Sequence, residues 1–448
     1  MEAGLNIHWV NHASFIVENN DVRLICDPWI EGSAFDHGWK HVVPTKFRYQ
    51  DFEDITHIWL SHEHPDHFSP KNLQAIPSSI RARITVLYHA AVDHRIGAFC
   101  RNAGFKAIHE LAPGEWLELS GDLRVRCEEA GSGDTWIAIR SNDQTILNIN
   151  DSYLVHRWRL ERVAAMVGAK IDVLLTQFSY ANWEGNPEDV EHRRGVAADH
   201  LDWMRLQCEV LAPTYVVPFA SMVWFCHEEN FYLNAEMNTV AMAYEFLAER
   251  VTATPVVMFP GESWTVGEPH DSVASITRYA PHYERIQATG DLISSPVVEE
   301  AELRRLAGRF FRLLRRNNPG WALWLARRVG LLKAARIHVW DHARSYELSL
   351  EHGLVPSDVI EESCDVALGS ESLAYMLRFL WGGATLHVNG RFRVPPGGDF
   401  RRFARYVLIA NYNNRGWSML RYLPVLAQRF RDRIQRTSGD DGSQRTMG

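Results

Sequence analysis

Three imidazoles and a carboxylate fall within six positions of the stretch Ser61-His62-Glu63-His64-Pro65-Asp66-His67. Imidazole and carboxylate are common ligands of zinc and iron, and the spacing His-x-His-x-Asp-His can bring all four onto one or two metal ions. Histidines without such company, among them His57, His89, His94, His109 and His156, read as surface or satisfied core residues. The apolar run Ile58-Trp59-Leu60 before the cluster reads as a short buried strand, and Ser69-Pro70 behind it as an N-cap followed by the first helical residue. The ligands therefore sit on a strand-to-helix turn that is held on both sides.

The elements that must position them can be read outward from there. Leu5, Ile7 and Trp9 alternate with polar residues, and Phe15-Ile16-Val17 and Val22 to Cys26 follow across an Asn/Asp turn, which predicts a meander. Asp27-Pro28-Trp29 ends it and leads into a loop that carries Trp39. The strand Thr145 to Ile149 delivers Asn150-Asp151 at its C-terminal end, where layered folds place ligands, so Asp151 is a further metal candidate. Val173 to Thr176 is a buried strand, followed by a loop carrying Tyr180 and Trp183, a long helix from about Val190 to Cys208, and a strand Tyr215 to Phe219 that leads to His227. Strands followed by strand-helix alternation, twice over, predict two packed sheets with helices outside. Trp39, Tyr180 and Trp183 are candidates to rim the sheet edge and bind substrate by stacking.

With 448 residues the chain exceeds one typical core. Its character changes near Glu268. Residues 1–267 read as the metal domain, 268–436 as a mainly helical α+β domain, and 437–448 as a disordered tail. Helix 299–316 is amphipathic, with glutamates first and arginines last. The tryptophan- and arginine-bearing stretch 321–336 after it suits docking onto the first domain or a partner subunit better than a membrane. A helix at 370–380 and a glycine-punctuated hairpin at 382–392, faintly similar to sterol-carrier folds, leave a lid or a homodimer contact as readings of this part.

A net charge of −8 gives no general reason to expect nucleic acid or an anionic membrane as a partner. No apolar run is long enough to span a bilayer, no secretory signal is visible, and six scattered cysteines form no Cys-x-x-Cys pair. A reducing cytoplasm is the expected location.

The motif at 62–67 resembles that of the metallo-β-lactamase superfamily, which implies an α/β fold, an αββα sandwich with one or two metals at one sheet edge. The resemblance assigns His62 and His64 to one metal, Asp66 and His67 to the other, Asp151 to the bridge and His227 to the last ligand. Over most of the first domain the chain is similar to the catalytic domain of CMP-N-acetylneuraminic acid hydroxylases, through Asp27-Pro28-Trp29, Gly32-x-Ala34-Phe35-x-x-Gly38-Trp39, Ile146-Leu147-Asn148-x-x-Asp151 and Pro218-Phe219-Ala220 with His227. That resemblance implies an O2-dependent hydroxylase acting on a small molecule. The sequence opens after the point where the family's Rieske domain ends, so electrons are expected from a separate ferredoxin or reductase.

One family ligand is missing. Where a histidine is expected the chain has Cys127-Glu128-Glu129-Ala130-Gly131-Ser132-Gly133-Asp134. Two-residue periodicity puts Glu129 on the face of Val125 and Cys127, making it the expected replacement, with Glu128 next. Four histidines with Glu129, Asp66 and Asp151 form a carboxylate-rich set that favours iron over zinc. The expected enzyme is a diiron oxygenase with Asp66 and Asp151 as catalytic carboxylates. The alternative is a dizinc or diiron hydrolase of an ester, phosphodiester or lactone.

Overall fold

The computed structural model describes residues 5–90, 95–120, 122–131, 133–141, 143–288 and 292–421. The expected tail, 437–448, lies outside them. Contacts divide the chain into one unit comprising Met1–Ser294 with Val388–Gly390, and a second comprising Ser295–His387 with Arg391–Gly448.

The first unit opens with β1 (Asn6–Asn11), β2 (Ser14–Asn19) and β3 (Val22–Cys26), the antiparallel meander. A short β4 (Trp39–His41) stands apart from it. β5 (His57–Leu60), β6 (Thr85–His89) and β7 (Ala107–Leu111) then add in parallel, joined through α1 (Pro70–Ala75), α2 (Ser78–Arg81) and α3 (Arg95–Asn102). The second sheet starts as an antiparallel run of β8 (Leu117–Ser120), β9 (Leu123–Gly131), β10 (Asp134–Ser141) and β11 (Gln144–Asn150). After α4 (Arg157–Val167) comes β12 (Val173–Gln177), and after α5 (Val190–Leu211) comes β13 (Tyr215–Phe219), both parallel to β11. β14 (Val223–Phe225) pairs with β4. Past α6 (Val240–Arg250), β15 (Thr254–Pro255) ends the second sheet, β16 (Ser263–Thr265) returns to β1, and α7 (Ser272–Gln287) follows. The two seven-stranded sheets run β16-β1-β2-β3-β5-β6-β7 and β15-β13-β12-β11-β10-β9-β8.

Strand alternation makes the layers. On β5, Trp59 points into the core shared by the two sheets, while Ile58 and Leu60 point the other way into the layer that covers α1 and α3. Each such side chain, fully buried, contributes about 1.5–3 kcal/mol. The inner core takes Ile7, Trp9, Phe15 and Leu24 from one sheet and Ile137, Ile139, Ile146 and Leu175 from the other. α7 belongs to this unit although it follows the change of character at residue 268: its Tyr279 is buried, donates to Met258 O at 3.0 Å and packs edge-on to Phe259.

The second unit has α8 (Glu300–Asn317), α9 (Gly320–Arg328), β17 (Ala335–Val339), β18 (Arg344–Ser349), β19 (Gly353–Ser357), β20 (Val366–Leu368), α10 (Ser370–Arg378), α11 (Gly382–Asn389) up to His387, β21 (Phe392–Arg393) and α12 (Phe400–Asn414). Its sheet order is β19-β18-β17-β20-β21. The hairpin expected at 382–392 is a helix followed by a short strand. Gly382 and Gly383 serve close packing rather than turning, since a Cβ on Gly383 would run into the Val407 side chain.

Candidate metal centre

Three chain turns with uncommon backbone meet where β5 ends. His12, between β1 and β2, has φ 38°; Asp27, after β3, has φ 40°; Asn150, the last residue of β11, has φ 56°. Left-handed backbone at non-glycine residues persists only where the surroundings hold it, and here they do. Asn11 fixes the first turn by donating to Val43 O and Thr45 Oγ1. Asp27, fully buried, fixes the others. Ser61 donates to its Oδ1 through N–H (2.8 Å) and to Oδ2 through Oγ–H (2.6 Å), and the Asn150 amide donates to Oδ2 at 2.9 Å. His67 Nδ1 lies 2.9 Å from the same Oδ2. An ionised carboxylate only accepts, so the proton sits on Nδ1 and Nε2 is turned toward the site.

Within that frame three groups of ligand atoms form, each with its atoms inside 4.8 Å of one another: His62, His64 and Asp134; His62, His67 and Asp151; and His12, Asp66 and His67. The third is wholly buried. The first is open, with His64 exposed and Asp134 partly so. Asp151 Oδ2 lies 3.6 Å from His62 Nε2 and 3.5 Å from His67 Nε2, between the two ends. The register shift between Asn148 and Asn150 in the β11–β12 ladder and the turned backbone of Asn150 put it there.

Burial pushes the pKa values of His12 and His62 down, which leaves both imidazoles neutral. Burial raises those of Asp66 and Asp151, but adjacent histidines outweigh it and hold both carboxylates below their usual range. Burial also lowers that of His67, but Asp66, Asp151 and Asp27 outweigh it, so His67 carries a proton when no metal is held. Asp66 Oδ1, Asp151 Oδ1 and His12 Nδ1 are buried with no hydrogen-bond partner among the described residues. Orphaned buried oxygens are costly, and coordinating a cation satisfies them, so the donor set fits a metal pair. Metal uptake would displace the second His67 proton, on Nε2, and leave the one on Nδ1.

The sequence expectations divide here. His62, His64, Asp66, His67 and Asp151 are brought together. Glu129 is not among them. Glu129 keeps the face of Cys127, opposite Thr135, but is exposed at that end of β9, while Glu128, on the other face, is buried against Arg126 and accepts from Gly114 N–H. Ala130 is an extra residue opposite the Asp134–Thr135 step, and the carboxylate that reaches His62 and His64 comes from across the turn, as Asp134. His227 joins none of the three groups. It is fully buried, and its Nδ1 accepts from Glu229 N–H at 3.2 Å. His12 stands in the corresponding place, signalled in the sequence only by its position in the polar turn Asn11-His12 between two strands. Asp134→Ala is accordingly expected to lower bound metal toward half, while Glu129→Ala leaves it unchanged. Metal content by mass spectrometry checks the pair, and the opposite ranking would restore Glu129.

A cleft of about 480 Å³ opens over the exposed group, with His64, Asp66, Asp134 and Asp151 in its floor. Phe35, Trp39, Tyr153 and Trp203 supply aromatic walls, and Gln177 and His200 polar ones. His200 is buried and its pKa is pushed down to about 4, so it faces the cleft as neutral imidazole. Of the expected substrate aromatics only Trp39 lines the cleft. Tyr180 is a core residue, fully buried, whose hydroxyl donates to Leu233 O at 2.5 Å. Trp183 is half-buried between Asn182 and Glu184, which do line it. Trp203, one helical turn beyond Asp199 on α5, was hidden by the periodicity of a long helix.

Residues 6–126 match the family model of the beta-lactamase superfamily domain. Over this stretch, which includes the His62–His67 turn, the first unit is similar to that superfamily's domain. The chain is 26% identical over 235 residues to a Mycolicibacterium smegmatis protein named as a Rieske 2Fe-2S iron-sulfur protein, covering 49% of this chain and 44% of that one. It is 23% identical over 261 residues to the cytidine monophosphate-N-acetylneuraminic acid hydroxylase of Danio rerio, covering 53% and 42%. The chain thus spans less than half the length of these relatives. CmlA, a diiron β-hydroxylase from Streptomyces venezuelae, is similar at TM-score 0.42 and 17% identity, over 59% of this chain and 55% of that one. Metallo-β-lactamase-fold relatives of this domain include both hydroxylases and hydrolases.

Proposed function

We propose that this metallo-β-lactamase domain is a diiron, O2-dependent hydroxylase of a small molecule, supplied with electrons by a reductase or iron–sulfur protein. The observation that carries the reading is the donor set. Asp134 stands beside His62 and His64 at the open end, giving three carboxylates to four imidazoles, and anionic oxygen donors favour iron over zinc. The hydroxylase and Rieske names of the relatives agree with it.

His62, His64 and Asp134 would hold one ion, His12, Asp66 and His67 the other, and Asp151 would serve both. When bound, a pair of irons supplies the redox chemistry that activates O2. The remaining work belongs to the chain. Asp27 keeps the His67 proton on Nδ1 so that Nε2 stays a donor. Phe35 and Trp39 form a dry wall beside the open end. Gln177 and neutral His200 offer hydrogen bonds that orient a substrate, and Trp203 offers a ring face.

The test needs no known substrate. Protein loaded anaerobically with ferrous iron should hold about two irons per chain and, after chemical reduction, take up O2 in a single turnover with a change in visible absorption. Zinc-loaded protein should leave p-nitrophenyl acetate and bis(p-nitrophenyl) phosphate intact under argon. Hydrolysis of either probe by the zinc form, with no O2 uptake by the iron form, would replace the oxygenase by the hydrolase.

A further inference from the structure

The second unit carries a surface that the metal chemistry does not use. α9 is apolar on two sides. Ala322, Leu323 and Ala326 are buried in the unit, as such a helix requires. The opposite side presents Trp321 and Trp324, 62% and 61% exposed, with Leu325 at 45%, and the chain leaving the helix adds Val329 at 61% and Leu331 at 51%. Five large apolar side chains within eleven residues lie open to water. Scattered exposed apolar residues are ordinary, but a contiguous run marks a contact surface.

Charge says what kind of surface it meets. Residues 303–340 contain ten lysines and arginines and no acidic residue, in a chain whose net charge is −8. Arg304 and Arg305 pair with Glu300 and Glu302, and Arg327 with Glu351. Arg309, Arg312, Arg316, Arg328 and Lys333 are exposed and meet no carboxylate among the described residues. Two copies of this face would set like charges against each other, which disfavours a symmetric dimer. A nucleic acid would use the bases and tryptophans but leave Leu325, Val329 and Leu331 in water. Tryptophans beside aliphatic residues and unpaired bases are what an anionic lipid surface accepts, the rings at headgroup level and the cations on phosphates. No described helix is long and apolar enough to cross a membrane, so the contact is interfacial.

We propose that α9 and the segment to Lys333 dock this protein onto anionic membranes, with Trp321 and Trp324 inserted among the headgroups. The full chain should co-sediment with phosphatidylglycerol-containing vesicles and not with pure phosphatidylcholine, with a blue shift of tryptophan emission and with release by salt. Trp321→Ser with Trp324→Ser should weaken binding on the order of tenfold or more, and Arg328→Glu or Lys333→Glu about fivefold or more each. Circular dichroism and metal content should be unchanged in all three. Absence of vesicle binding, or equal binding by the tryptophan variant, overturns the proposal. Concentration-dependent dimerisation or RNA binding abolished by the same variant, without vesicle binding, assigns the face to that partner instead.

Discussion

Asp151→Ala is expected to strip the site of most of its metal and to cut turnover by more than about a hundredfold, the upper end of what losing a residue that only orients a ligand costs. Among the described residues Asp151 is the one carboxylate grouped with a histidine from each end, His62 and His67. Without it, His64 and Asp134 keep His62, and His12 and Asp66 keep His67, but nothing spans them. The fold should survive. Oδ1 of Asp151 has no hydrogen-bond partner among the described residues, and burial and the like charge of Asp66 offset part of what the carboxylate gains from His62 and protonated His67 when no metal is present. The thermal midpoint of metal-free protein should therefore fall only modestly, while the gain in midpoint on adding ferrous ion should largely vanish. Asp151→Asn separates charge from shape: it keeps one acceptor oxygen and should bind metal weakly with turnover still lost. Full metal content with ordinary turnover in the alanine variant would remove Asp151 from the centre.

What the sequence made legible follows the range over which each position is determined. His62, His64, Asp66 and His67 lie in one turn, so their convergence needs only a strand before and a helix after. Asp151 was readable because a strand's C-terminal end is a place that layered folds use. His12 and Asp134 depend instead on irregularities: a register shift between Trp9 and Asn11 with a left-handed turn, and the extra Ala130 in the β9–β10 ladder. Alternation reads regular strands, and one inserted residue moves every later side chain to the other face. Glu129 lies before the insertion and keeps the face that alternation gives it; what alternation does not show is that this face is open to solvent there. The candidate set that the structure brings together has the same make-up as the expected one, four histidines and three carboxylates, but with His12 in place of His227 and Asp134 in place of Glu129. The glycines at 382 and 383 failed for a related reason: a glycine that makes room for Val407 looks in sequence like a glycine that turns the chain.

Asp27→Ala should be the most damaging substitution for stability, although Asp27 joins none of the ligand groups. Its two oxygens serve four donors: Ser61 N–H, Ser61 Oγ–H, the Asn150 amide and His67 Nδ1. Truncation leaves those donors buried and removes the anion that faces a protonated His67. Breaking a buried pair in this way costs about 3–5 kcal/mol, a drop in thermal midpoint on the order of 10 °C. The loss should also reach the metal, since a histidine without its carboxylate no longer has its proton fixed on Nδ1 and can turn its protonated nitrogen toward the site. Affinity is expected to fall about 10–100-fold, measured by competition against a chelator. Asp27→Asn tells the two effects apart. It retains an oxygen for Ser61 N–H and most of the packing, so it should recover much of the stability, yet its amide cannot accept from His67 as the carboxylate does, and the metal defect should remain. Equal recovery of stability and affinity in the asparagine variant would make Asp27 a packing residue whose charge does not matter.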